Sequence, residues 1–157
     1  RSVPEGQLTI VGKGEDRPRL ERLVRSLGLE GAVSFGGFVS EEEKIRCLRR
    51  AHALVYPSPK EGWGLSTMEA AACGTPVLAS DSDGLREAVK NGSNGFLIPH
   101  RDTGAWARRM TQVLTDAALR DRLGASGREW ARQFDWDKEA EKMTAAVEAV
   151  TTGRCGE

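Results

Sequence analysis

Short apolar runs alternate along this chain with longer amphipathic stretches, and that alternation sets the first expectations. Gln7-Leu8-Thr9-Ile10-Val11 is apolar and stops at Gly12; a brief apolar run closed by glycine predicts a strand. The next stretch spaces Leu20, Leu23, Val24 and Leu27 as a helix and meets Gly28, a stop signal. Asp16 is placed to cap this helix, and Pro18 suits its first turn. Ala32-Val33-Ser34-Phe35 predicts a second strand, ending in Gly36-Gly37. Ser40 and Glu43 have capping-box spacing ahead of a helix through Arg50. Ala53 to Tyr56 predicts a third strand, stopped by Pro57 and Pro59. A helix from about Leu65 to Cys73 closes at Gly74, and Pro76 to Ala79 is a fourth strand. Leu85 to Lys90 reads as a short helix and Gly95 to Ile98 as a fifth strand.

The remainder is helical. Trp106, Met110, Val113 and Leu114 form one apolar stripe; Leu119, Leu123 and Trp130 form a second; Ala140, Met143, Val147 and Val150 form a third. Strands that are short, apolar on both sides and interleaved with helices predict an α/β fold: a Rossmann-like parallel sheet with helices on both faces. Residues 1–150 read as one domain and residues 151–157 as a loose tail.

Composition narrows the function classes. At 157 residues the chain can bury about 70% of its unfolded surface. It begins at Arg1 with a strand signal close behind, which reads as part of a longer protein. Lys+Arg and Asp+Glu balance at 23 each, so no charge excess points to nucleic acid or to an anionic membrane. Cys47, Cys73 and Cys155 are odd in number and fit no metal-ligand spacing, which favours reduced thiols and a cytoplasmic setting. No apolar run approaches the ~18 residues of a membrane span, so no membrane contact is expected from this stretch, and association with a membrane through an upstream region stays open as an alternative.

The candidate chemistry concentrates in Ser58-Pro59-Lys60-Glu61-Gly62-Trp63-Gly64-Leu65-Ser66-Thr67-Met68-Glu69-Ala70. A glycine-rich loop feeding a helix start presents unpaired amides and a positive dipole end, which suits an anionic ligand. A carboxylate on the first turn can accept hydrogen bonds from sugar hydroxyls. Local spacing leaves a second account of Glu69 open: with Ser66 as N-cap, Glu69 is the third helical residue and completes a capping box. Glu61 follows two prolines in a loop, with no helix to cap. Gly12-Lys13-Gly14 gives half of a dinucleotide fingerprint, with Arg17 at the third glycine position, and is not a P-loop. Asp81-Ser82-Asp83 spells D-x-D, a pattern that elsewhere holds a divalent ion. His52 and His100 have no visible catalytic partners.

The stretch EGWGLSTMEAAACGTPVLASDSDGLREAV, together with VGKGEDR, FGGFV, GFLIP and FDW in the same order, resembles retaining glycosyltransferases of family 4. That family has the two-Rossmann GT-B architecture and includes sucrose synthases and mannosyltransferases. The resemblance covers most of the chain and implies the C-terminal, donor-binding half of such an enzyme. The reaction implied moves a sugar from a nucleoside diphosphate sugar to an acceptor hydroxyl with retained configuration. The acceptor-binding N-terminal domain and a basic loop would lie upstream, so this stretch alone is expected not to transfer sugar. Residue by residue, the resemblance places Glu61 beside the donor sugar as the catalytic candidate and Glu69 on the ribose hydroxyls. It places the Gly62-Trp63-Gly64 loop and the Leu65 and Ser66 amides at the pyrophosphate, Gly37 and Val39 at the nucleobase, and Gly12 near the nucleotide. The Trp63 ring, where phenylalanine is commoner, is expected to pack in the core and tether the loop. Asp83 stands where a glycine often precedes the one matching Gly84. No cofactor and no metal are implied. The alternatives are a non-catalytic nucleotide-binding module, or a nucleotide-sugar epimerase or glycosyl phosphorylase on the same fold.

Overall fold

Strand β4 (Val77–Ser80) is buried at every residue, because both of its faces are covered. Its side chains alternate between two cores. Val77 and Ala79 pack with Leu48, Met68, Ala70, Leu85, Ala88 and Val89. Leu78 packs on the opposite side with Phe96, Ile98, Val113, Leu119 and Leu123. Full burial of a side chain such as Leu78 or Leu123 stabilises by about 1.5–3 kcal/mol each.

The structure, a computed structural model, describes residues 3–151. Cys155 and the proposed tail beyond Thr151 lie outside the described residues, as does the side chain of Trp136. In chain order the elements are β1 (Leu8–Val11), α1 (Arg17–Ser26), β2 (Val33–Gly37), α2 (Glu41–Arg50), β3 (Leu54–Tyr56) and α3 (Leu65–Cys73). After β4 come α4 (Asp83–Ala88), β5 (Gly95–Ile98), α5 (Thr103–Thr115), α6 (Ala117–Ala131) and α7 (Trp136–Thr151). All strand pairing is parallel, as βαβ crossovers require.

The strands form two ladders, β1-β2 and β3-β4-β5, where the sequence predicts one sheet. No ladder hydrogen bond joins them among the described residues. Helix α2 makes the connection instead: Leu48 enters the first core, and the Leu48 carbonyl accepts from Thr75 Oγ1 at 2.6 Å. The β1–α1 side is accordingly thinly covered. Leu8, Val11, Leu23 and Leu27 remain exposed, and α1 has no buried residue.

Three local expectations change. Asp16 sits at the N-cap in helical backbone geometry, and its carboxylate binds Arg19 rather than a helix amide. Ser40 Oγ does accept from the Glu43 amide at 3.2 Å, but the Glu43 carboxylate turns to Arg46, so only half of the capping box forms. Helix α7 carries the third apolar stripe, yet Met143, Val147 and Val150 are exposed, whereas α5 and α6 bury Val113, Leu119 and Leu123.

Candidate functional site

Loops at the carboxyl ends of β1, β2 and β3, with the first turns of α3, carry Gly12, Gly37, Val39, Glu61 to Ser66 and Glu69. This is the side of an open parallel sheet on which ligands bind. Strand β3 stops at Pro57, which has no amide to donate. The loop then runs to Gly64, where φ is 83° and ψ 58°. A Cβ there would lie 2.6 Å from Leu85 Cδ2, so both the left-handed backbone and the close packing require glycine.

Helix α3 starts directly after this glycine. The amide and hydroxyl of Thr67 both donate to the Gly64 carbonyl, at 2.8 and 2.7 Å. Gly64 is therefore the N-cap, not Ser66, and Glu69 becomes the fifth helical residue. Capping geometry no longer accounts for Glu69, because a capping box needs the glutamate at the third position. The amides of Leu65 and Ser66 have no acceptor among the described residues, and the Leu65 side chain is 58% exposed. Two open amides at a helix N-terminus make an anion-facing surface.

The Glu69 side chain turns toward α2. Lys44 Nζ donates to Glu69 Oε1 at 2.8 Å and lies 2.8 Å from Glu41 Oε2. Those two carboxylates, Glu41 first, hold the Lys44 ammonium above its usual pKa. Glu69 Oε2 is buried and has no hydrogen-bond partner among the described residues. A buried carboxylate oxygen without a donor costs free energy until one arrives.

Glu61 is held from the strand behind it. The Tyr56 hydroxyl, at the end of β3, donates to Glu61 Oε1 at 3.0 Å. Burial, then the bond to Glu61, then the charges of Glu61 and Glu69 push the Tyr56 hydroxyl pKa up. A second support comes from α4. A Cβ on Gly84 would lie 2.2 Å from the Glu61 carbonyl oxygen and 2.5 Å from that of Gly62. Backbone meets backbone here, and the close approach is made at Gly84 itself, with Asp83 exposed before it.

The two carboxylates of the D-x-D pattern meet an arginine. Arg86 Nε donates to Asp81 at 2.6 Å and Arg86 Nη1 to Asp83 at 3.0 Å. Trp63 leaves the group of ligand-facing candidates as far as its ring is concerned. The ring packs edge-on against Phe134 at 4.9 Å, and Phe134 packs on Trp130 at 5.0 Å, so Trp63 ties the loop to the segment after α6. Gly12 and Gly37 form a separate unit, in which the Gly12 amide donates to the Gly37 carbonyl at 2.7 Å. That amide is therefore committed within the protein. Val39 is half-buried beyond it, and the Ser40 cap begins α2. His52 is remote from the glutamates: with Arg120, Asp121 and Arg128 it lines a cavity of about 320 Å³ beside Gly74 and Pro76, at the opposite ends of the strands.

Sequence reading did not single out Lys44 or Tyr56. Tyr56 is the sole tyrosine of the chain and closes the strand that leads to Glu61. Lys44 stands 25 residues from Glu69, beyond the reach of any local pattern.

Residues 1–130 match the family model described as glycosyl transferases group 1. The chain is 38% identical over 130 residues to the D-inositol 3-phosphate glycosyltransferase of Streptomyces bingchenggensis, covering 82% of this chain and 29% of that protein. Sucrose-phosphate synthase from Thermosynechococcus elongatus superposes with a TM-score of 0.88 at 34% identity, over 96% of this chain and 40% of that one. A mutant of S. aureus TarM, solved with fondaparinux, α-GlcNAc-glycerol and UDP, superposes with a TM-score of 0.82 at 25% identity, over 88% of this chain and 28% of that one. The chain thus spans less than two thirds of the length of the relatives it matches. Its fold is that of GT-B glycosyltransferases. A match of this extent settles descent: the chain belongs to the group 1 glycosyl transferase family.

Proposed function

We propose that this chain is the donor-binding domain of a retaining glycosyltransferase that moves a sugar from a nucleoside diphosphate sugar to an acceptor hydroxyl. One observation carries the reading. Open amides at Leu65 and Ser66 stand four and three residues ahead of Glu69, whose buried Oε2 lacks a donor among the described residues. A diphosphate supplies the anion for the first, and a ribose hydroxyl supplies the proton donor for the second. The glycosyltransferase relative and the UDP-bound TarM structure support the same ligand class.

In this reading the protein stabilises a leaving group. Negative charge grows on the diphosphate as the glycosidic bond breaks, and amides aimed at it beforehand need no reorganisation. Glu61, oriented by Tyr56, lies by the donor sugar, where a carboxylate binds a hydroxyl or stabilises positive charge at the anomeric carbon. Nucleotide binding is metal-independent, since amides hold the diphosphate and Arg86 already pairs with Asp81 and Asp83. An upstream domain contributes the acceptor face, and the exposed stripe of α7 suits packing against it. No helix among the described residues is long and apolar enough to cross a membrane, and the cysteine usage favours the cytoplasm.

Calorimetry with UDP and GDP, alongside a transfer assay on the protein in its encoded length, tests this reading. Glu69→Gln weakens nucleotide binding about tenfold or more, the worth of a hydrogen bond to a charged group. Glu61→Gln leaves nucleoside diphosphate binding intact and lowers transfer. Wild-type affinity in Glu69→Gln overturns the ribose assignment. Nucleotide binding without transfer from any donor identifies a non-catalytic module instead.

A further inference from the structure

We propose that Lys44 is a positioning residue for ribose recognition: its ammonium fixes Glu69 through Oε1 and so leaves Oε2 as the acceptor for one ribose hydroxyl. The proposal rests on the donor-nucleotide reading of Glu69 given above.

Lys44 is the shielded centre of a three-residue cluster. Its side chain is 27% exposed, against 36% for Glu69 and 80% for Glu41. An ammonium has three donors, and two of them are engaged by carboxylates on different helices. Glu41 is solvated and one helical turn from Lys44, so water can replace it. Glu69 is different, because its second oxygen is buried and unpartnered. A glutamate carboxylate turns broadly about its last torsion, and the two oxygens exchange places when nothing holds one. Lys44 removes that freedom. It also sets a positive charge against the partly buried carboxylate. The ligand meets an acceptor already aimed, so little ordering is left for the moment of binding. With Oε1 engaged, the two hydroxyls of the ribose contribute unequally. Lys44 itself touches no ligand in this scheme.

The test compares UDP and GDP with their 2′-deoxy and 3′-deoxy forms by calorimetry on the encoded-length protein. Wild type favours the ribonucleotide over the worse-binding deoxy form by about tenfold or more. Lys44→Met, which keeps a good helix former in α2, loses most of that preference while the deoxy form binds as before. Lys44→Arg retains the preference. A purely structural role for Lys44 lowers ribo and deoxy affinities together and leaves their ratio intact, and that result overturns the proposal. If Glu69→Gln abolishes the preference and Lys44→Met keeps it, Lys44 alone is excluded and the ribose reading stands. If wild type shows no preference at all, the ribose reading and this proposal fall together.

Discussion

Replacing Gly84 by alanine forces a methyl group into backbone that has no room for it. The new Cβ falls 2.2 Å from the Glu61 carbonyl oxygen and 2.5 Å from the Gly62 carbonyl oxygen, where ordinary contact begins near 3.4 Å. The start of α4 and the Glu61–Gly62 loop must therefore part by about 1 Å. Neither neighbour is the tip of a pliant side chain, so the strain enters the main chain. Overpacking of this kind costs about 1–3 kcal/mol. A domain of this size loses about 2–4 °C of melting temperature per kcal/mol, which gives a drop of about 2–12 °C. The functional loss is larger, because a shift near 1 Å at a positioning loop costs roughly 10²-fold in rate. Gly62→Ala is the matched control for stability: nothing lies within 4 Å of its Cβ. Thermal melts of both variants, followed by turnover of the encoded-length protein, decide the matter. A Gly84→Ala protein that melts and turns over like wild type refutes the account of Gly84 as the support behind Glu61.

The remaining predictions use other readouts. Tyr56 is the one tyrosine here, so tyrosinate absorbance of the 157-residue chain reports it alone; the midpoint lies above the ordinary 10.0, and Glu61→Gln moves it back down. Because the folded pKa is raised, the stability contributed by the neutral hydroxyl is complete below pH 10 and is lost as pH climbs through the folded value; a midpoint at or below 10 contradicts this. Amide exchange of the same chain runs faster in β1 and α1 than in β4, since the former have no fully buried residue; equal protection would contradict the thin cover described for that side. UDP affinity is the same in EDTA as in magnesium or manganese, whereas a strict metal requirement lost in Asp81→Ala or Asp83→Ala restores a metal role for D-x-D.

Fold class and the glycine-rich loop that carries the candidate site were legible in sequence because both rest on local rules. The apolar run at Val77–Ser80, the helical spacing that sets Leu119 and Leu123 on one face of α6, and the glycines at 64 and 74 each act within a few residues. The loop at Glu61–Gly64 was recognisable for the same reason, as a glycine-rich run between a strand and a helix. What the loop does was not local. Ser66 and Glu69 have capping-box spacing, yet the left-handed turn at Gly64 starts the helix earlier and sends Glu69 to Lys44. Trp63 finds Phe134 far along the chain, and Gly84 presses on Glu61 from another element. The division of the strands into two ladders is likewise set by pairing partners, not by strand propensity. Periodicity and turn chemistry specify which residues form an element. Which carboxylate oxygen is held and which is left open is decided only when separate elements pack, because that choice belongs to contacts between residues distant in the chain.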